Sequence, residues 1–429
     1  MCLLRAWGLF FCVVSSLGAA EFRAAVVKVD ITPDSPQMLR GYSPRMSTKV
    51  HDRIYHRIVA MDDGTTLFFL ISSDICSLSP AFCDRVTGDL AQEFGLPPEN
   101  IWWSMTHTHS SPYVGPPGVP GVLMSNRFQF PLDETYTGLV EKTLKDGVRQ
   151  ARTKLERARL GMGWGYAEAN INRRARDADG QVRLGLNPGA AVDRRIGLLR
   201  LDKADGGPLA LIANYAMHGT VLGSGSTLVS GDAPGIVAEY VEEESGVPML
   251  YHNGAAGNIG PLYSTRAEAE VKLLNRFKVL LGDPILDANR RLRVTTADVK
   301  LQATRIVVET PKRPGIPWSE ELKDYLRVFK EGEETMLVTL RFLRINQDTV
   351  IWSAPLELFC EVSNEIRDRS PFPNTLYYGY TNGTFAYLPT EQECLAGGYE
   401  PATSPFTASA AGHLSAAVNR HLRAIHAAP

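Results

Sequence analysis

The sequence has no excess of charge of either sign. Its 429 residues carry 45 Lys and Arg against 47 Asp and Glu, a formal net charge of −2, which excludes a surface organised around nucleic acid or another polyanion. Long hydrophobic runs are also missing. Beyond the N-terminus no stretch approaches the roughly eighteen apolar residues of a membrane-spanning helix, so no transmembrane anchor is expected. Cysteine is scarce, with six in all. Cys2 and Cys12 fall in the N-terminal leader. Cys76, Cys83, Cys360 and Cys394 are spaced too widely for a zinc finger and allow three pairings in an oxidising compartment. Cys83 facing Cys76 across one local turn and helix is one such arrangement; structural or free thiols are the expectation. No P-loop, dinucleotide fingerprint or G-x-S-x-G elbow occurs, so nucleotide chemistry and a serine hydrolase have no support.

What is present begins with an address. Arg5 precedes an apolar run from Trp7 to Val14, and Ser15 to Ala20 are mostly small, the pattern of a secretory signal peptide cleaved near Ala20. Residues 1–20 are expected to leave. Residues 21–429 are expected to form one soluble catalytic domain, secreted or periplasmic, since no linker or low-complexity segment divides them.

Hydrophobic content of 44% supplies a large core, and its pattern predicts an α/β fold: a mixed β-sheet core with hairpins, helices packed outside, and a metal site at strand ends. Three hairpins are readable. Arg57 to Met61 turns at Asp62-Asp63-Gly64 into Leu67 to Ile71 and runs to Asp74. Ile196 to Leu201 pairs with Leu209 to Tyr215 and runs to His218. Met336 to Ile345 pairs with Val350 to Ser353 and arrives at Glu357. Each thus delivers a metal-competent side chain just past its second strand. Helices are predicted over Pro80 to Phe94, over Glu134 to about Ala158 with Leu139, Leu144, Val148 and Ala151 inward, from an Asp232 N-cap through Val241, and over 266–281, Ser319 to Phe329 and Ser409 to Ala427. The Gly- and Pro-rich stretch from Pro112 to Pro131 reads as a loop walling the site.

The richest stretch is Ile101 to Pro112, an apolar strand running into Thr106-His107-Thr108-His109-Ser110-Ser111. On a strand His107 and His109 share a face. That suits a metal such as zinc, though hydrogen-bonded core histidines would show the same spacing. His218 and Glu357 complete a candidate donor set. His51 and His56 have no evident partner. Gly-rich loops at 219–235 and 253–261 can bring backbone amides close to a ligand.

These residues, in order, resemble the neutral/alkaline non-lysosomal ceramidases. Thr106 to Pro112 is similar to that family's THTHSGP. Asp30-Ile31-Thr32-Pro33 with Arg40-Gly41-Tyr42 looks like its opening strand, Asn170-Ile171-Asn172-Arg173 its NINRS, and Met217-His218-Gly219-Thr220 with Ser230-Gly231-Asp232 its HGT and SGD pair. Pro355-Leu356-Glu357 resembles its PGE. Phe385 to Thr390 and Gly398-Tyr399-Glu400 match two later motifs.

The resemblance implies a zinc-dependent amidohydrolase acting on the N-acyl bond of a lipid such as ceramide. It implies one zinc ion per chain on His107, His218, Glu357 and Tyr387. His109 would move a proton beside the metal, and Arg173 and Tyr399 would bind the substrate carbonyl or oxyanion. The expected partner is a lipid-like N-acyl substrate met in transient contact with a membrane surface. Two departures stand out. Asn258 and Gly260 replace the Asp and Ser of the family's GDVSP, pointing to a different head group, and the family's C-terminal immunoglobulin-like domain is expected to be absent. A zinc hydrolase of another amide or ester, and a non-catalytic secreted binding protein on the same scaffold, are the alternatives.

Overall fold

A strand that is apolar along its whole length must be covered on both faces, and Leu67 to Ile71 is such a run, buried almost throughout. The computed structural model describes residues 21–264, 268–329 and 332–428, so the leader expected over residues 1–20 lies outside the described residues. In it, strands β1 (Arg23–Asp30), β2 (Tyr55–Asp62), β3 (Leu67–Ser73), β4 (Ile101–Met105), β5 (Glu156–Tyr166), β6 (Arg195–Lys203), β7 (Pro208–Tyr215) and β8 (Met249–Asn253) form one mixed sheet in the order β8-β7-β6-β5-β1-β2-β3-β4. A second sheet holds β9 (Leu301–Pro311), β10 (Glu334–Ile345), β11 (Thr349–Ser353) and β12 (Asn374–Tyr378), with the short strand Leu326–Val328 also paired to β10.

Alternation along these strands sorts the core into layers. Phe68, Leu70, Trp102, Leu199 and Ile212 of the large sheet share one cluster with Leu343, Ile345 and Ile351 of the small one, so the sheets pack face to face. Phe69, Ile71 and Trp103 point the other way, onto helices α1 (Pro80–Phe94) and α2 (Glu134–Thr153). Leu198, Leu211 and Ala213 meet α3 (Asp232–Ser245) and α4 (Asp283–Arg291) on that same outer face. Phe342, Val350 and Trp352 cover the outer face of the small sheet together with α5 (Cys360–Asp368) and α6 (Ala410–Ala427). The molecule is a helix–sheet–sheet–helix sandwich. Each large apolar side chain buried in it contributes ~1.5–3 kcal/mol.

The three hairpins of the sequence belong to a larger repeat. In β2-β3-α1-β4, β6-β7-α3-β8 and β10-β11-α5-β12, an antiparallel pair is followed by a helix and a strand parallel to the second of the pair. Crossovers of this kind leave the C-terminal ends of two parallel strands side by side, where α/β sheets open crevices. The six segments after β3, β4, β7, β8, β11 and β12 carry most of the site described below.

Several local expectations give way. β4 ends at Met105, and His107 sits in a left-handed turn at φ 62°, so the shared face of His107 and His109 does not come from strand alternation. Helix α2 stops at Thr153; its inward side is Tyr136, Val140, Leu144 and Val148, leaving Leu139 exposed. The segment expected as a helix over 319–329 is a 3₁₀ turn, Glu320–Tyr325, running into the edge strand Leu326–Val328, because pairing to β10 outweighs its helical pattern. The helix expected over 266–281 is broken into 3₁₀ and π turns before α4, and its first residues lie outside the described ones.

Asp232 is the first residue of α3 rather than its cap, and its carboxylate accepts from the amides of Val221, Leu222 and Ala233. Among the described residues Asp74 belongs to no donor set; it is buried against Arg57 at 2.8 Å. His56, too, has partners, in Ser73 Oγ and the Val140 carbonyl, and His51 pairs with Asp52. Cys76, Cys83, Cys360 and Cys394 are all free thiols.

Candidate metal centre and substrate groove

His107 arrives on the turn after β4. Its amide donates to the Ile75 carbonyl on the neighbouring loop, and its Nδ1 donates to the Cys76 carbonyl at 2.6 Å. His218, past the end of β7, does the same on the other side: its Nδ1 donates to the Ala256 carbonyl at 2.6 Å. A proton fixed on each Nδ1 leaves each Nε2 lone pair free. Both lone pairs face one carboxylate oxygen, Glu357 Oε2, at 3.4 Å from His107 and 3.3 Å from His218. The His218 Nε2 and Glu357 Oε2 atoms are buried with no hydrogen-bond partner.

Three acceptors converging without a donor between them are costly when buried, and a divalent cation is what such a set fits. Burial alone would raise the Glu357 carboxyl, but His107 and His218 outweigh it and hold it well below the usual range. Burial likewise opposes protonation of His107, yet Glu357 raises it to about 10, while burial and Arg173 lower His218 to about 3. The carboxylate therefore draws positive charge onto the centre from whichever source is at hand. Two imidazoles and a carboxylate match the ligand chemistry of a catalytic zinc site that keeps a coordination position open.

Glu357 is set by a two-residue parallel pairing, Glu357–Leu358 with Tyr387–Leu388, whose register places Tyr387 directly beside it. Tyr387 Oη accepts from Arg173 Nη2 at 3.2 Å. Gly257 makes the close approach possible: a Cβ there would lie 2.4 Å from the Glu357 carbonyl oxygen. His109 packs its Nε2 3.2 Å from that of His107, edge-on to Tyr42. Gly41, at φ 106°, leaves the space that the His109 ring occupies, since a Cβ would lie 2.4 Å from its Cγ. Burial, His107 and His218 hold His109 neutral. Tyr399 stands 5.8 Å from Tyr387, ring to ring, and its hydroxyl touches Met124 Sδ.

The structure thus brings all seven sequence-selected residues to one place: His107, His109, His218, Glu357 and Tyr387 around the donor set, and Arg173 and Tyr399 on its wall. A narrow inner chamber is lined by His107, His109, Glu357 and Tyr387, and its wall is Pro120, Met124, Arg127 and Phe128 of the 112–131 segment, which is not all loop but holds a short helix, Val119–Leu123, and a 3₁₀ turn, Ser125–Arg127. It shares Tyr42, His109, Tyr387 and Tyr399 with a wider groove of about 560 Å³ lined by Ile171, Leu184, Leu186 and Tyr263.

Of the two departures noted in the sequence, Gly260 lies on this groove beside Arg173, and Asn258 does not. Asn258 is buried behind the centre, donating to the Glu361 carboxylate and accepting from the Cys360 amide. Sequence reasoning missed Cys76, Glu400 and the leucines of the 174–186 hairpin. Leu184 and Leu186 stay more than half exposed, and isolated leucines in a polar loop gave no pattern to read.

A family described as neutral/alkaline non-lysosomal ceramidase, N-terminal, matches residues 22–257, a span holding His107, His109, Arg173 and His218. Neutral ceramidase A of Dictyostelium discoideum is 27% identical over 227 residues, 50% of this chain and 31% of that protein. Neutral ceramidase B of the same organism is 26% identical over 260 residues, 58% of this chain and 34% of that protein. The aligned part is thus about a third of the length of these curated relatives. A neutral ceramidase from Pseudomonas aeruginosa has the same fold, with a TM-score of 0.76 at 18% identity over 95% of this chain and 75% of that one. With its match covering more than half of the sequence, the chain belongs to the neutral/alkaline non-lysosomal ceramidase family.

Proposed function

We propose that this chain is a zinc-dependent amidohydrolase that cleaves the N-acyl bond of a ceramide-like lipid to an amine and a fatty acid. The single observation that carries the reading is the convergence of His107 Nε2, His218 Nε2 and Glu357 Oε2, two of them buried without a partner. These three side chains, with Tyr387 beside Glu357, would hold the ion. Zinc, when bound, supplies a Lewis acid that polarises a carbonyl and lowers the pKa of water toward ~7.

The remaining work falls to the chain's own groups. In this reading Arg173 and the Tyr399 hydroxyl, both on the groove wall, donate to the amide oxygen as negative charge develops there, a contribution of ~3 kcal/mol per well-placed donor. In the same reading His109, which lines both the chamber and the groove, passes a proton to the departing nitrogen. Leu184, Leu186 and Ile171 offer an apolar floor for an acyl or sphingoid chain, and the exposure of the two leucines suits pick-up from a membrane surface. No helix among the described residues is long and apolar enough to cross a membrane, and Arg5 with the run from Trp7 to Val14 supports export to the periplasm or beyond. Gly260 leaves space at Arg173 for a head group of different shape from that of the relatives' substrate.

The test is the metal content of purified protein together with hydrolysis of short- and long-chain N-acylsphingosines by wild type and His107→Ala. One zinc per chain with amidase activity lost in the variant is expected. Zinc-free protein, or hydrolysis that survives His107→Ala, refutes the reading.

A further inference from the structure

Cys76 is an unexpected neighbour of the centre. It follows β3 by three residues, is 2% exposed, and lines the inner chamber together with His107 and His109. Its backbone is pinned on both sides: its amide donates to Ser111 Oγ at 2.9 Å, and its carbonyl accepts from His107 Nδ1 at 2.6 Å. The thiol is free. Its Sγ and one ring nitrogen each from His107 and His109 all lie within 4.8 Å of one another. The donor atoms of His107, His218 and Glu357 meet the same limit.

The chamber therefore holds two three-donor sets that overlap in His107. Both sets draw on the one His107 ring, whose Nδ1 already donates to the Cys76 carbonyl, and a ring with one nitrogen left serves one ion at a time. The two sets describe alternative positions for one cation. They differ in chemistry: the first offers nitrogen and carboxylate oxygen, and the second exchanges the carboxylate and one imidazole for a thiolate and His109. Soft thiolate donors select thiophilic ions, whereas carboxylate and imidazole suit harder or borderline ones.

We propose that Cys76, His107 and His109 form a second, thiolate-containing metal position, which takes a thiophilic divalent cation such as Cd²⁺ in place of an ion on His107, His218 and Glu357. Binding exchanges the thiol proton, released to solvent, for a sulfur–metal bond, with no change in oxidation state. An ion in this position ties up His109 and leaves His218 and Glu357 without it, so the second position is inhibitory. The inference rests on the proposed zinc centre only in taking His107 as a shared ligand.

The test is titration of the metal-free full chain with Cd²⁺ and with Co²⁺, read by the ultraviolet sulfur-to-metal charge-transfer band. One equivalent should produce the band in wild type, in Cys394→Ser, which removes the most exposed other thiol, and in His218→Ala, which dismantles the first set. Cys76→Ser, one atom different and checked by its melting curve, should lose the band and bind Cd²⁺ about tenfold or more weakly relative to Zn²⁺. Stoichiometric Cd²⁺ binding without the band, or a band that survives Cys76→Ser, overturns the inference and leaves the zinc centre standing. The band without amide hydrolysis removes the proposed activity but not the second position. Failure to bind either ion overturns both.

Discussion

Glu400 holds Arg173 in place. Its carboxylate, 1% exposed, accepts from Arg173 Nε at 2.9 Å and from Arg174 Nη1 at 2.6 Å. Arg173 in turn reaches the Tyr387 hydroxyl through Nη2. The groove wall is thus ordered from behind by a group that need not meet substrate. Glu400→Gln keeps the shape and removes the charge that orients two guanidinium groups. Its expected effect is a fall of ~10–100-fold in kcat with KM little changed, at a melting temperature close to wild type. A matched loss of kcat and thermal stability would mark Glu400 as merely structural.

If the proposed zinc centre holds, Gly257→Ala should weaken it without unfolding the chain. The added Cβ would press on the Glu357 carbonyl oxygen, and the backbone has to shift by a fraction of an ångström to relieve it. A displaced carboxylate is expected to weaken zinc binding by ~10–100-fold. Metal content after dialysis against a graded chelator measures this.

Gly260→Ser is the opposite case. A Cβ there meets only Arg173 Cβ at 3.7 Å and Cδ at 4.0 Å, both ordinary contacts. Stability should change by less than ~0.5 kcal/mol, while KM for a panel of N-acyl amines differing in head group should re-rank. Unchanged ranking would separate Gly260 from head-group recognition.

Acid should destabilise the fold through two buried histidines. Burial pushes His56 down to about 4 and His252 down to about 3. Below an unfolded-state value of ~6.5, the unfolded chain takes up protons that these rings refuse, so stability is full above that pH and drains away as pH falls through each folded value. His252 is stacked on Tyr378 with both nitrogens unpartnered. Replacing it with Phe breaks no hydrogen bond and should move the acid-unfolding midpoint to lower pH, as followed by circular dichroism. A midpoint that stays put would assign acid sensitivity elsewhere.

What the sequence disclosed and what it hid divide along physical lines. The hairpins at Asp62–Gly64 and around Asp205 were legible because turn chemistry and apolar runs are local properties. The residues gathered at the centre were legible through ordered motifs, which carry information that periodicity does not. The turn that presents His107 was hidden because it is fixed by the Ile75 carbonyl, thirty-two residues back. The edge strand Leu326–Val328 was hidden because its partner, not its own pattern, decides its conformation. Asp74 looked equivalent to His218 and Glu357 by position, yet Arg57 claims it. Cys76 was read against Cys83 because the two are close in sequence, whereas its consequential neighbours lie about thirty residues away on another strand end.

The repeated unit has a thermodynamic corollary. Cys76 and the two histidines after β4 belong to its first copy, His218 and Gly257 to the second, and Glu357 and Tyr387 to the third. The proposed zinc set of His107, His218 and Glu357 takes one donor from each copy, so no single copy supplies it. Affinity for the ion is then a reporter of whether all three copies are docked, and ligation acts as a clasp that raises the free energy of separating any one from the others. Proteolytic nicking between copies, or a lesion far out in one of them, should be felt first as loss of the ion and only later as loss of secondary structure.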